Sequence, residues 1–196
     1  MKALVILGHQ NPTDSFNRAI ADTVCQTLTD AGVEVAFHNL YEENFDPILT
    51  AEELAADAPL DPLVKQHCDQ LVDADALVVV HPNWWAMPPA ILKGWLDRVF
   101  RQGLVYRFGP EGVIGQLTGK KALIITTSNT PREAELDLYG DPLENLWNAC
   151  ICGFCGITKE DFLRRNFESV VMSDDAERKG WLEDTKQMVT SHLLGQ

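Results

Sequence analysis

No stretch of this 196-residue chain holds enough consecutive apolar residues to span a bilayer, so direct membrane insertion is not expected. Basic residues are few: 16 Lys and Arg stand against 29 Asp and Glu, a net charge of −13. A surface of that sign repels phosphodiester backbones and anionic lipid, which argues against a nucleic-acid or membrane-surface partner. A small anion can still be held locally by backbone N–H groups, because these act at contact distance. Cysteine is sparse and odd in number, five in all, with none of the spacing of a disulfide framework. A reduced, cytoplasmic setting is therefore expected. Cys150, Cys152 and Cys155 fall in a C-x-C-x-x-C run, but inside an apolar helix-like stretch with no second pair. Small buried thiols explain them better than a metal. Nor do the histidines fall in ligand spacing: His38, His67 and His192 read as ordinary surface or half-buried residues, and no metal is expected. The glycine-rich nucleotide signatures, G-x-G-x-x-G and the P-loop, are missing as well. The first seven residues are apolar apart from Lys2, yet Gly-His-Gln-Asn-Pro-Thr-Asp follows where a leader would have its cleavage site, so they read as a buried strand.

What is present is a regular alternation. Lys2–Gly8 is a continuous apolar run that suits a strand covered on both faces. Phe16, Ile20, Val24, Leu28 and Ala31 recur at helical spacing up to Gly32. Val33–His38 reads as a second strand, and the acidic, proline-bearing stretch 44–62 as a long loop with one helical turn. A helix over 63–72 leads to the apolar strand Ala76–Val80, closed by His81 and Pro82. After Pro88 and Pro89 a helix reaches Phe100 with Ile91, Leu92, Trp95 and Val99 inward, and Lys93 and Asp97 four apart on its outer side. Residues 101–119 read as glycine-rich and mostly loop. A strand at 122–125, a helix near 142–154, a strand near 162–167 and a last helix capped by Ser173, with Trp181, Thr185, Met188 and His192 on one face, complete the order. Such βα alternation predicts one domain over 1–196, an α/β doubly wound five-stranded parallel sheet in the order 2-1-3-4-5 with helices on both faces. Ligands in such sheets sit beyond the carboxyl ends of the strands, near the switch between strands one and three.

Three strand ends on that edge carry unusual residues. The first, Gly8–Asn17, offers hydroxyls and the free N–H groups of a helix start, enough for a phosphate without a lysine; a plain turn capped by Ser15 or Asp14 explains it equally. Arg18 is expected to point away along the helix. The second, His81–Pro89, places Trp84 and Trp85 just past a buried strand. A flat aromatic wall there suits a flavin ring or a nicotinamide, and packing beneath the next helix or in a dimer interface is the competing account. His81 either touches the site or makes a structural hydrogen bond. The third, Thr126-Thr127-Ser128-Asn129, offers short polar side chains, a weak signal by itself.

The run from Pro82 to Phe100 fits P-x-x-W-x-x-x-P-A-x-L-K-G-W-x-D-R-V-F and resembles the NAD(P)H:quinone oxidoreductase family of flavodoxin-like fold, which includes reductases that accompany bacterial potassium-efflux systems. Gly8-His9 with Ser15-Phe16-Asn17, and Gly153-Phe154-Cys155-Gly156, extend the likeness over nearly the whole chain. The resemblance implies non-covalent FMN, or alternatively FAD, with NAD(P)H as co-substrate, and a homodimer whose sites lie between subunits. It implies that Ser15, Phe16 and Asn17 hold the phosphate region with His9 nearby, that Pro82, Asn83, Trp84 and Trp85 contact the ring, and that Thr126 and Thr127 approach its pyrimidine side. Two departures stand out. Ser128 and Asn129 replace the family's usual two glycines, adding side chains at the flavin edge. Tyr139, before Gly140 and Asp141, stands where the family has a histidine. It is the one side chain with an expected chemical role, although a phenol of reference pKa about 10 is a poor proton shuttle near neutrality.

The implied cycle takes hydride from a reduced nicotinamide and returns it to a quinone or similar acceptor, the protein supplying binding, orientation and charge stabilisation. A flavodoxin-type electron carrier without its own turnover, or a regulatory subunit of a potassium-efflux system, are the alternatives. Acidity favours the carrier, and the tryptophan pair favours an enzyme with a shaped pocket.

Overall fold

The structure is a computed structural model that describes every residue except Pro12 and Ala56. Its centre is a parallel sheet of β1 (Lys2–Leu7), β2 (Glu34–Asn39), β3 (Ala76–Pro82), β6 (Lys121–Thr127) and β7 (Phe162–Phe167) in the order β2-β1-β3-β6-β7. The expected 2-1-3-4-5 order is found once the two strands of a separate hairpin, β4 (Tyr106–Gly109) and β5 (Gly112–Gly115), are left out of the count. Alternation along β1 sends Leu4 and Ile6 into one core and Ala3, Val5 and Leu7 into the other. Helices α2 (Pro62–Asp73) and α3 (Ala90–Val99) cover the first, and α1 (Phe16–Asp30) with α5 (Asp175–Met188) the second. Both sheet faces are thus covered, which is why the strands read as unbroken apolar runs. Among the described residues no helix is long and apolar enough to cross a membrane.

Local chemistry sets the helix starts. Ser15 Oγ accepts from the Arg18 amide at 3.1 Å, and Asp61 Oδ1 from Leu63 at 2.9 Å. Arg18 turns away to Asp22 and Glu42, as expected. The last helix starts one residue later than expected. Asp174, with Glu177 three residues on, forms a full capping box, while the Ser173 hydroxyl accepts from Arg178 Nε at 2.9 Å. The stretch 101–119 is mostly loop, as expected, but it also carries the β4–β5 hairpin; these strands are only four residues each and stay outside the main sheet, so no buried face marks them in the sequence. The helix near 142–154 is α4 (Pro142–Asn145) continued by a π-helical stretch, Leu146–Gly153, and a second π-helical stretch, Ala134–Leu138, precedes it.

Helix α3 anchors the long 44–62 segment. A Cβ on Gly94 would lie 2.2 Å from the Pro47 carbonyl oxygen, so only glycine lets the two backbones approach this closely. Arg98, 5% exposed, donates to Glu53 Oε1 at 2.9 Å and to the Asp46 carbonyl at 2.6 Å. Glu53 belongs to the expected single turn, Glu52–Leu54.

Two histidine readings are corrected here. His38 and His67 are buried, with rings 3.8 Å apart, and with Glu43 they form the one candidate metal-ligand group among the described residues. The signal for His67 was its place on the apolar face of α2 with Val64, Cys68 and Leu71. The group does not fit a metal. Trp95 Nε1, which can only donate, gives its proton to His67 Nδ1 at 2.8 Å, so the ring's own proton sits on Nε2. Glu43 Oε2 lies 3.3 Å from that nitrogen. Burial works against the Glu43 charge, but bonds from His38 and His67 outweigh it and hold the carboxyl at about 2. Cys150 is exposed, against expectation, while Cys152 and Cys155 are buried thiols, pushed by burial up to about 12 and about 11.

Candidate functional site

A cleft of about 280 Å³ opens beyond the carboxyl ends of β1, β3 and β6, where the topology switches. Its lining is His9, Gln10, Phe16, Asn17, Pro82, Asn83, Trp84, Thr127, Ser128, Asn129 and Val170. Nine of these eleven are residues the sequence singled out; Gln10 and Val170 are additions. Ser15, Trp85, Thr126 and Tyr139 lie outside this lining.

Each strand end contributes for a local reason. Asn17, buried in the first turn of α1, donates from Nδ2 to Thr127 Oγ1 at 2.8 Å, while its Oδ1 has no hydrogen-bond partner. An orphaned buried acceptor at a cleft wall asks for a donor from a ligand. His9 Nδ1 lies 3.1 Å from the Asn11 amide and 3.0 Å from the Asn11 carbonyl, which ties the ring to its own loop, and burial lowers its pKa, against the Asn11 bond. Phe16 meets Phe167 edge-on at 6.0 Å between ring centres and lies tilted against Trp181 at 5.6 Å. Ser128 Oγ accepts from Thr130 at 3.0 Å within its own loop, and Asn129 Oδ1 accepts from Val171 at 3.0 Å, tying that loop to the segment after β7.

The pleat separates the two threonines. Thr127 meets Asn17, whereas Thr126 is fully buried and donates to Asn166 Oδ1 at 2.9 Å. A turn separates the two tryptophans. Trp84 and Met87 exchange both backbone hydrogen bonds at 3.0 Å around Trp85 and Ala86, whose φ angles are +55° and +61°. This is the geometry of a tight hairpin turn with left-handed residues at both centres. Trp84 becomes a cleft wall and Trp85 stands 96% exposed, so neither indole packs beneath the following helix.

Behind the cleft lies a polar layer that sequence reasoning missed. Buried Glu135, on the π-helical stretch 134–138, accepts from Asn83 Nδ2 and from Asn166 Nδ2, each at 3.0 Å. Burial pushes its carboxyl above the ordinary range, while Arg164, 3.8 Å away, pulls the other way. An asparagine in a buried strand end, at 166, was the available signal. His81 beneath Pro82 is structural: Trp147 Nε1 donates to its Nε2 at 3.0 Å, so its proton sits on Nδ1, which donates to the Pro82 carbonyl at 2.8 Å. Burial pushes its pKa down to about 4, against the Pro82 bond and with help from Arg164. A second groove of about 330 Å³, lined by Leu96, Phe100, Tyr106 and Phe154 among others, lies along α3, apart from these strand ends.

The family described as "Flavodoxin-like fold" matches residues 1–189. An "Uncharacterized NAD(P)H oxidoreductase" of Haemophilus influenzae is 35% identical over 197 residues, covering 98% of this chain and 96% of that protein. The "NAD(P)H dehydrogenase [quinone] 1" of Cavia porcellus is 31% identical over 178 residues, 79% of this chain and 64% of that longer one. "FMN-dependent NADH:quinone oxidoreductase 1" of Idiomarina loihiensis is 28% identical over 180 residues, 90% of this chain and 92% of its own. The crystal structure of Smu.1420 from Streptococcus mutans UA159 superposes with a TM-score of 0.84 at 35% identity, covering 96% of this chain and 98% of that one.

Proposed function

Because the chain belongs to the NAD(P)H:quinone oxidoreductase family of flavodoxin-like fold, we propose that its cleft binds FMN and passes hydride from NAD(P)H to a quinone or similar acceptor. The observation that carries this reading is the strand-end cleft itself, with Trp84 as a flat wall and the unpartnered Asn17 Oδ1 as a waiting acceptor. The residues present fit the group. Ser15 and the N–H groups that open α1 suit the phosphate, with the His9 ring at its side. Asn17 and Thr127 suit chain hydroxyls, and Pro82, Asn83 and Trp84 suit the ring plane. When bound, the flavin supplies the capacity to accept and return two electrons as hydride. The protein's part is to hold donor and acceptor against one face and keep water out. FMN is chosen over FAD because the cleft, about 280 Å³, lies near the lower end of small-molecule sites of about 300–1,000 Å³.

The same reading treats residues 1–196 as one flavin-binding domain working as a homodimer. Trp85 at 96%, Leu138 at 72% and Tyr139 at 58% exposure are more apolar surface than an isolated cleft rim needs, and a second copy would cover them. Tyr139, outside its own chain's cleft, would then act on a flavin across that seam. Sedimentation of the purified protein should give twice the chain mass, and a monomer at micromolar concentration rules this part out.

The test of the whole is an absorbance spectrum with anaerobic addition of NADPH and then NADH. Flavin bands should bleach with a donor and return on adding a quinone, and the faster donor is the preferred one. Asn17→Ala should weaken FMN binding about tenfold, the loss of one buried hydrogen bond. Bands that persist under both donors indicate an electron carrier. A protein that takes up neither FMN nor FAD ends the proposal.

A further inference from the structure

The Trp84–Met87 hairpin turn is held in a conformation its residues do not favour. Neither Trp85 nor Ala86 is glycine or asparagine, yet both have positive φ. Something outside the turn must hold it. Asn83 Oδ1 accepts from the Ala86 amide at 2.9 Å, which pins the turn from inside the loop. That oxygen can serve only while the amide's other end, Nδ2, points to an acceptor, and the acceptor is Glu135 Oε1 at 3.0 Å. Oε2 of the same carboxylate takes Asn166 Nδ2 at 3.0 Å, and Asn166 Oδ1 in turn takes the Thr126 hydroxyl at 2.9 Å. One buried side chain therefore sets the orientation of two amides, and one of those amides reaches the cleft wall.

We propose that Glu135 is a positioning residue that, through the Asn83 amide, locks the left-handed Trp85–Ala86 turn and so fixes the Trp84 wall of the cleft. The lock is a property of the chain. That it steadies a flavin ring rests on the function proposed above.

The chemistry of the group predicts which substitutions matter. An alanine or leucine at 135 leaves Asn83 Nδ2 without an acceptor and frees the amide to rotate. A glutamine does not. Its oxygen can take Asn83 Nδ2, and its Nε2 can donate to an Asn166 that has flipped. The flipped Asn166 then donates to Thr126 Oγ1, whose proton turns to the Arg165 carbonyl already 3.5 Å away. The turn stays pinned.

The measurement is amide hydrogen exchange at Ala86 in the flavin-free protein, beside FMN affinity and thermal midpoint. Glu135→Ala should speed Ala86 exchange about tenfold or more, and Asn83→Ala should do the same. The double variant should exchange no faster than Asn83→Ala, because one residue acts through the other. Glu135→Gln should stay within about threefold of the unmodified protein, and FMN affinity should follow the same order. Glu135→Leu, of similar volume, keeps the test open if the alanine variant does not fold. Ala86 exchange unchanged in a folded Glu135→Ala or Glu135→Leu protein, or additive effects of the two sites, overturns the proposal. If exchange follows the expected order in a protein that binds no FMN, the lock stands and the flavin reading falls.

Discussion

Arg98→Leu should lower the free energy of unfolding by about 3–5 kcal/mol, the largest effect expected of a single substitution outside the cleft. Arg98 and Glu53 are both about 5% exposed and 2.9 Å apart, so removing the guanidinium leaves a carboxylate in a place from which water is excluded. Arg101, which donates to the Glu53 carbonyl, and the Thr50 amide at 3.1 Å from Glu53 Oε2 are the remaining help. Much of the loss is therefore the stranded charge rather than the pair itself. An Arg98→Leu/Glu53→Leu double variant should recover most of it. Urea unfolding of the unmodified protein, Arg98→Leu, Glu53→Leu and the double variant measures both terms. A single variant within 1 kcal/mol of the unmodified protein would show that the 44–62 segment moves and solvates Glu53 easily.

Acid should weaken the fold through His81. Its pKa is about 4 in the folded protein and about 6.5 when unfolded, so the unfolded chain binds the extra proton first. The group's contribution is complete above pH 6.5 and is lost as pH falls from there through 4, about 3 kcal/mol in all. His67, also lowered by burial, loses stability in the same direction. His38, raised by Glu43 and Gln70 despite its burial, acts oppositely and gives up its part as pH rises through its folded value. Glu43, held at about 2, contributes fully above the ordinary carboxylate value and gives up its part as pH falls from there through about 2. His81→Gln retains an acceptor for the Trp147 indole and cannot titrate. Its thermal midpoint should therefore fall less steeply between pH 6.5 and 4. Equal slopes for the two proteins assign the acid loss elsewhere. Since His81 lies directly beneath Pro82, the same acid range should release flavin before the chain unfolds as a whole.

Much of the fold was legible because the sheet is covered on both faces. Ala3–Leu7 and Ala76–Val80 are buried throughout and cannot be polar anywhere, and the intervening helices repeat apolar residues at the spacing their cores require. The β4–β5 hairpin was illegible because it buries little, and the π-helical stretches because their hydrogen bonds leave no period in the side chains. Within the long Pro82–Phe100 run, the most recognisable residues turn out to hold the fold. Gly94 admits Pro47, Trp95 binds His67 and Arg98 binds Glu53, while only Pro82, Asn83 and Trp84 line the cleft. Neighbouring residues of like chemistry could not be told apart before the backbone was known. The pleat sends Thr127 and Thr126 to different partners, and the turn sends Trp84 and Trp85 in different directions. Glu135 and Arg164 were hidden because these buried charges meet across two elements separated in sequence.

The turn at Trp85 and Ala86 also bears on how this sequence drifts. Each left-handed residue there carries about 1–3 kcal/mol of conformational strain that glycine or asparagine would largely relieve. Random change filtered for stability alone would settle on those two residues. An indole 96% exposed gains nothing from its own chain that would resist such replacement. In the proposed homodimer, a tryptophan at that address serves through what it reaches in the second copy, and that contact is what would set it against the strain of the turn.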